Sequence, residues 1–132
     1  MVTGSGGFLG SALVNGLSKF NYIIYALDIN FSYKLDNLSK IKKIKINLLN
    51  KNSINKIDNI DVFIHCAALT RPVKTKDKNN LLNINNKLTL NALELAKLNK
   101  AKAFFFISST SVYRYFNSIT YNERSKVRGS DP

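Results

Sequence analysis

The segment Thr3-Gly4-Ser5-Gly6-Gly7-Phe8-Leu9-Gly10 constrains this chain more than any other, because it sets glycines at positions 4, 7 and 10 between an apolar start, Met1-Val2, and an amphipathic stretch. Where a strand turns into a helix, a residue without Cβ lets the backbone bend tightly, approach a ligand closely and seat the helix on the strand. The helix that follows would offer free N–H groups and the positive end of its dipole, which suits a pyrophosphate. A tight structural loop would use the same glycines, so the context has to decide.

That context is a strand, helix, strand rhythm without repeats. A helix is expected from about Gly7 to Phe20, with Leu9, Leu13 and Leu17 on one face, followed by a buried strand from Tyr22 to Asp28. Lys42 to Leu48 reads as a weaker third strand, with Ile44 and Ile46 alternating with Lys43 and Lys45, and Asp61 to Ala68 as a strong fourth. Leu81, Ile84, Leu88 and Leu95 trace one face of a helix over about 79–98, and Ala103 to Ser108 forms a fifth strand.

The expected fold is therefore α/β, a Rossmann-type doubly wound parallel sheet in three α/β/α layers, as one domain over residues 1–132. Only two residues precede Thr3, whereas a strand usually runs about five, and no apolar periodicity follows Ser109. Both ends read as cut, which predicts an isolated chain of marginal stability.

Asp28 ends the second strand 18 residues beyond Gly10, where a carboxylate can accept hydrogen bonds from both hydroxyls of an adenosine ribose. It would repel a 2′-phosphate, which favours NAD over NADP. Asp is also common in turns after strands, and Asn30 can share either role.

Composition narrows the remaining classes. The formal charge of +12 invites a nucleic-acid reading, but the lysines are scattered through 34–56 and 74–102 among Asn and Ile rather than gathered with aromatics, so a solvated surface is expected and no nucleic-acid site. Cys66 is the only cysteine, excludes an internal disulfide and reads as a buried, inert thiol. No apolar run approaches the ~20 residues of a membrane span, and the start lacks a signal peptide, so a soluble, cytoplasmic protein with no membrane partner is expected. No metal site is expected.

Taken in order, Thr3 to Gly10, Asp28, Asn47-Leu48, His65-Cys66-Ala67-Ala68 and Ser108-Ser109-Thr110-Ser111-Val112-Tyr113 resemble the landmarks of the NAD-dependent epimerase/dehydratase family, within the extended short-chain dehydrogenase/reductase superfamily. Asn85-Asn86-Lys87-Leu88-Thr89 resembles that family's Asn-x-x-Gly-Thr helix segment, with Leu88 in the glycine's place. The resemblance implies that Gly4, Gly6, Gly7, Phe8, Leu9 and Gly10 underlie the pyrophosphate, and that Asn47 and Leu48 flank the adenine. Ala67, Ala68 and Leu69 would follow the nicotinamide ribose, while Asn85 contacts cofactor or a bound water and Ser108 completes the set.

Ser109 matches the catalytic Ser/Thr, whose hydroxyl bonds the reacting oxygen of the substrate. Thr110 and Ser111 stand where the family's dehydratases carry Asp-Glu, which argues against dehydration and leaves epimerisation, reduction or decarboxylation. His65, the only histidine, is expected to fill a structural place inside its strand rather than to act as a base.

The family's mechanism also needs Tyr-x-x-x-Lys, in which the lysine lowers the tyrosine pKa. None of the tyrosines at 22, 25, 33, 113, 115 and 121 has a lysine four residues on, and Lys126 follows Tyr121 by five. Tyr121-Asn122-Glu123 and Ser130-Asp131-Pro132 resemble the stretches that lead up to that tyrosine. The implied protein is the N-terminal NAD-binding portion of a nucleotide-sugar epimerase-like enzyme, inactive by itself, whose parent takes a nucleotide-sugar substrate through its C-terminal region. A homodimer is compatible with the resemblance. Two other readings stay open: an NADP-dependent reductase or hydroxysteroid-dehydrogenase-like enzyme, and a non-catalytic dinucleotide- or nucleic-acid-binding relative.

Overall fold

Successive residues of a strand point to opposite faces of its sheet, so strands that are apolar at every position need cover on both sides. The computed structural model supplies that cover. It describes residues 1–35, 39–70, 78–109, 112–113, 120–125 and 127, with backbone alone at 78–80. The elements are β1 (Val2–Thr3), α1 (Phe8–Leu17), β2 (Ile24–Asp28), β3 (Ile41–Lys45), a 3-10 turn (Lys51–Ser53), β4 (Val62–His65), α2 (Lys78–Leu98) and β5 (Ala103–Phe106). The strands form one sheet in the order β3-β2-β1-β4-β5, and every pairing is parallel.

The two faces carry two cores. On one, Val2, Ile24, Ala26 and Ile41 pack with Val14 of α1 and with Leu35. On the other, Tyr25, Leu27 and Phe63 pack with Ala92, Leu95 and Ala96 of α2. The α/β/α sandwich expected from the strand and helix rhythm is thus present. β3 lies at an edge, and its exposed Lys42, Lys43 and Lys45 keep that edge solvated, the usual protection of an open strand.

Several boundaries differ from the expectation. Tyr22 and Ile23 are exposed and precede β2, which begins at Ile24, where the backbone first pairs with β3. In α1 the buried residues are Gly10, Ser11 and Val14, while Leu9 is 50% exposed and Leu13 and Leu17 are only partly buried. The helix leans on the sheet through its small residues, which turns Leu9 outwards. Cys66 is half-buried rather than buried, and its surroundings still push the thiol pKa up.

The end of α2 shows how polar side chains can be structural. Lys100 adopts φ 53° and Ala101 N–H reaches back to Ala96 C=O at 3.0 Å, a Schellman-type stop. The fully buried Asn99 accepts the N–H groups of Ile57 (2.8 Å) and Asp58 (2.9 Å) on Oδ1 and donates Nδ2 to Leu95 C=O (2.7 Å). It fixes the loop that enters β4. Among the described residues no helix is long and apolar enough to cross a membrane.

Candidate functional site

A parallel sheet opens a crevice at the carboxyl ends of its strands where neighbouring connections leave to opposite faces. Here α1 leaves β1 on one face and α2 follows β4 on the other, so the crevice lies above β1 and β4. A cleft of about 460 Å³ occupies it, lined by residues that include Gly4, Gly6, Gly7, Asp28, Asn30, Asn47, Leu48, Ala67, Ala68 and Leu69. Ten of the expected cofactor residues meet there.

The glycine-rich turn forms one wall. Gly4 has φ +69°, a left-handed conformation open to glycine, and a Cβ on it would lie 2.6 Å from Ala67 N. Gly6 is more crowded, since a Cβ would stand 1.8 Å from Asn30 C=O. Gly10 is buried where the helix meets the turn. The first amides of α1 open onto this end. Gly7 caps the helix without a side-chain hydrogen bond, and no acidic residue occupies the first turn. Ser11 N–H to Gly7 C=O (3.0 Å) closes the first turn, so Phe8, Leu9 and Gly10 carry N–H groups without an intrahelical acceptor. Phe8, 77% exposed, and Leu9 do not line the cleft.

Asp28 forms the second wall. One carboxylate oxygen accepts Gly6 N–H at 2.8 Å and the other accepts Asn30 N–H at 3.1 Å. The carboxylate therefore has the turn role, and each of its oxygens keeps a lone pair for a further donor. Ile29 and Ser32, which the sequence reading passed over, line the cleft beside it. Their signal was their position just after the strand-ending acid.

Asn47 is exposed and accepts Leu49 N–H at 3.0 Å, an Asx-type turn at the rim. Leu48 contributes to the lining, yet its side chain is buried in the α2-side core and its C=O accepts from Asn91. The loop 66–69 makes the third wall. Asn85 does not line the cleft; its amide grips Leu69, accepting the N–H at 2.8 Å and donating to the C=O at 3.0 Å. Its effect on the cleft runs through that loop.

Ser108 and Ser109 follow β5 at the same end of the sheet, both exposed and outside the lining, and Ser109 C=O accepts Val112 N–H at 3.2 Å. Thr110, Ser111 and the stretch Ser130 to Pro132 lie outside the described residues. His65 is buried, 2% exposed, in contact with Thr3 and with the rings of Phe104 and Phe106, and burial lowers its pKa to about 4.

A larger hollow of about 720 Å³ opens at the opposite end of the sheet, lined among others by Met1, Tyr22, Ile24, Asp58 and Val62. It exists because β1 offers two residues beside the five of β2. It holds neither a glycine turn nor a helix N-terminus, so size alone does not make it the site.

A glycine-rich turn at a helix N-terminus, the Asp28 carboxylate that holds it and the apolar side chains of Leu27 and Ile46, gathered at the switch point of a parallel sheet, define a Rossmann-type fold. The family model of the NAD dependent epimerase/dehydratase family matches residues 1–130, and the chain belongs to that family. No curated protein sequence matches it.

Among solved structures, the chain is similar to a UDP-N-acetylglucosamine 4-epimerase from Methanobrevibacter ruminantium M1 in complex with UDP-N-acetylmuramic acid, at 27% identity and TM-score 0.74, covering 96% of this chain and 43% of that one. It is similar to a UDP-glucuronic acid 4-epimerase Y149F mutant from Bacillus cereus, in complex with NAD and a fluorinated UDP-sugar, at 28% identity and TM-score 0.71, covering 96% and 45%. A UDP-glucose-4-epimerase from Stenotrophomonas maltophila with bound NAD shares the fold at 17% identity and TM-score 0.79, covering 98% and 42%. The chain spans less than half the length of each.

Proposed function

We propose that this chain is the NAD-binding portion of a nucleotide-sugar epimerase-like enzyme. The observation that carries the proposal is the meeting of the Gly4 to Gly10 turn, the Asp28 carboxylate and the 67–69 loop on one cleft at the switch point. Two neighbours at 27% and 28% identity are UDP-sugar 4-epimerases, and the second is crystallised with NAD, which supports the reading.

The turn and the first amides of α1 would hold the pyrophosphate, and Asp28 the adenosine ribose. Asn47 and Leu48 would border the adenine, while Ala67, Ala68 and Leu69, steadied by Asn85, would follow the nicotinamide ribose. Bound NAD would supply a transient hydride acceptor for the sugar carbon undergoing inversion. Ser109, at the same end of the sheet, would hydrogen-bond the reacting oxygen. The chain contains no Tyr-x-x-x-Lys, so it brings no proton shuttle of that kind.

The test pairs titration calorimetry of NAD into the chain with an assay for epimerisation of a UDP-hexose. Binding without turnover is expected. A folded chain that gives no heat with NAD, or turnover by the chain alone, contradicts the proposal.

A further inference from the structure

We propose that His65, as its Nε2–H tautomer, is a positioning residue that ties the glycine-rich turn to the 66–69 loop, through the hydroxyls of Thr3 and Thr89. The inference rests on the cofactor reading above for its effect on binding, though not for its geometry.

The placement follows from the sheet. Thr3 and His65 are register partners on β1 and β4, so their side chains share a face, and Thr3 Oγ1 lies 2.7 Å from His65 Nδ1. The other ring nitrogen, Nε2, lies 3.4 Å from Thr89 Oγ1 on α2. Thr89 donates its single hydroxyl hydrogen to Asn85 C=O at 3.0 Å, the ordinary back-bond of a helical threonine. Its oxygen can therefore only accept from the ring, which puts the proton on Nε2 and leaves Nδ1 to accept from Thr3. The opposite tautomer would set two lone pairs against each other at Thr89.

Donors then run head to tail: Thr3 O–H to Nδ1, Nε2–H to Thr89, and Thr89 O–H to Asn85 C=O. Hydrogen bonds in such a series polarise and strengthen one another. The far end is already committed to the cleft, because the Asn85 amide holds both backbone polar groups of Leu69. The near end is the residue before Gly4, whose Cα side packs on Cys66 and Ala67. One buried imidazole thus joins the wall that would face the pyrophosphate to the wall that would face the nicotinamide ribose. The ring stays neutral at pH 7, since burial holds its pKa near 4.

The experiment has two readouts on the full chain. The first is two-bond ¹⁵N–¹H correlation of the imidazole with amide hydrogen exchange at Leu69, in the wild type and in Thr3→Val. The expected result is an Nε2–H ring, and Leu69 exchange at least ten-fold faster in Thr3→Val after correction for its global stability. An Nδ1–H or charged ring at pH 7, or Leu69 protection that follows global stability alone, overturns the proposal.

The second readout is NAD titration of Thr89→Val and Thr89→Ser. A ten-fold weaker Kd in the valine variant and a wild-type Kd in the serine variant are expected; equal values overturn the positioning role. A wild type that binds no NAD defeats the cofactor reading instead, and the exchange measurement then decides this proposal by itself.

Discussion

The Asp28 carboxylate accepts the Gly6 N–H at 2.8 Å, so the acid that would read the cofactor's ribose also holds the turn that would read its phosphates. Binding and folding are linked at this pair. Replacing Asp28 with Ala removes the acceptor from Gly6 and Asn30 together. A hydrogen bond to a charged group contributes about 1.5–3 kcal/mol, and the partial exposure of these groups places the expected loss near the lower end. Urea denaturation of Asp28→Ala checks it, and a midpoint equal to wild type would show that the turn stands without the acid.

Gly6→Ala tests the same contact from the other side. Its Cβ would be forced to within 1.8 Å of Asn30 C=O, so the backbone must move. Overpacking of this kind costs about 1–3 kcal/mol. Thermal unfolding should show a lower Tm, and a Tm equal to or above wild type would show that the segment after β2 yields freely.

Asn99→Ala should be among the more damaging polar substitutions, because Asn99 serves Ile57 N–H, Asp58 N–H and Leu95 C=O at once. Leaving a buried polar group unsatisfied costs about 1–3 kcal/mol, so a total of about 3 kcal/mol is expected. Denaturant unfolding measures it. Any Asn99→Ala chain that remains folded should keep the wild-type affinity for NAD, since Asn99 lies outside the cleft.

Stability should also fall with acid in a defined window. His65 has a folded pKa of about 4 against an ordinary value of 6.5, so the unfolded chain binds a proton more readily between these limits. The contribution is complete above about pH 6.5 and is lost as pH falls towards 4. Asp58 and Asp61, held below the usual carboxylate value by Tyr25 and Lys102 respectively, lose theirs at lower pH still. Denaturant midpoints at pH 7, 6 and 5 should decline in the wild type and decline less in His65→Phe; parallel declines would assign the effect elsewhere.

Much of this architecture is legible in the residues because each signal is local. The glycines at 4, 7 and 10, the acid at the end of β2, and the apolar residues at helical spacing in α2 depend on near neighbours in the chain. What escaped is set by distant contacts. Asn99 reads as one of many asparagines, and its grip on the loop more than forty residues before it has no local signal. Leu9 fits the helical stripe of Leu13 and Leu17, but the burial of Gly10 and Val14 turned α1 by part of a turn. Asn85 matches a family position that contacts cofactor or a bound water, but the resemblance gives no sign that its side chain also holds Leu69, sixteen residues earlier. Periodicity reports which face is apolar and says nothing of which polar group will meet which.

If the cleft takes NAD with Asp28 against the adenosine ribose, calorimetric titration of NAD and of NADP at low salt into the wild type and into Asp28→Ala will show it. Saturable NAD binding, weaker NADP binding, and an NAD affinity at least ten-fold lower in Asp28→Ala are predicted. An unchanged NAD affinity in a folded Asp28→Ala chain, or a wild type that prefers NADP, would contradict the account.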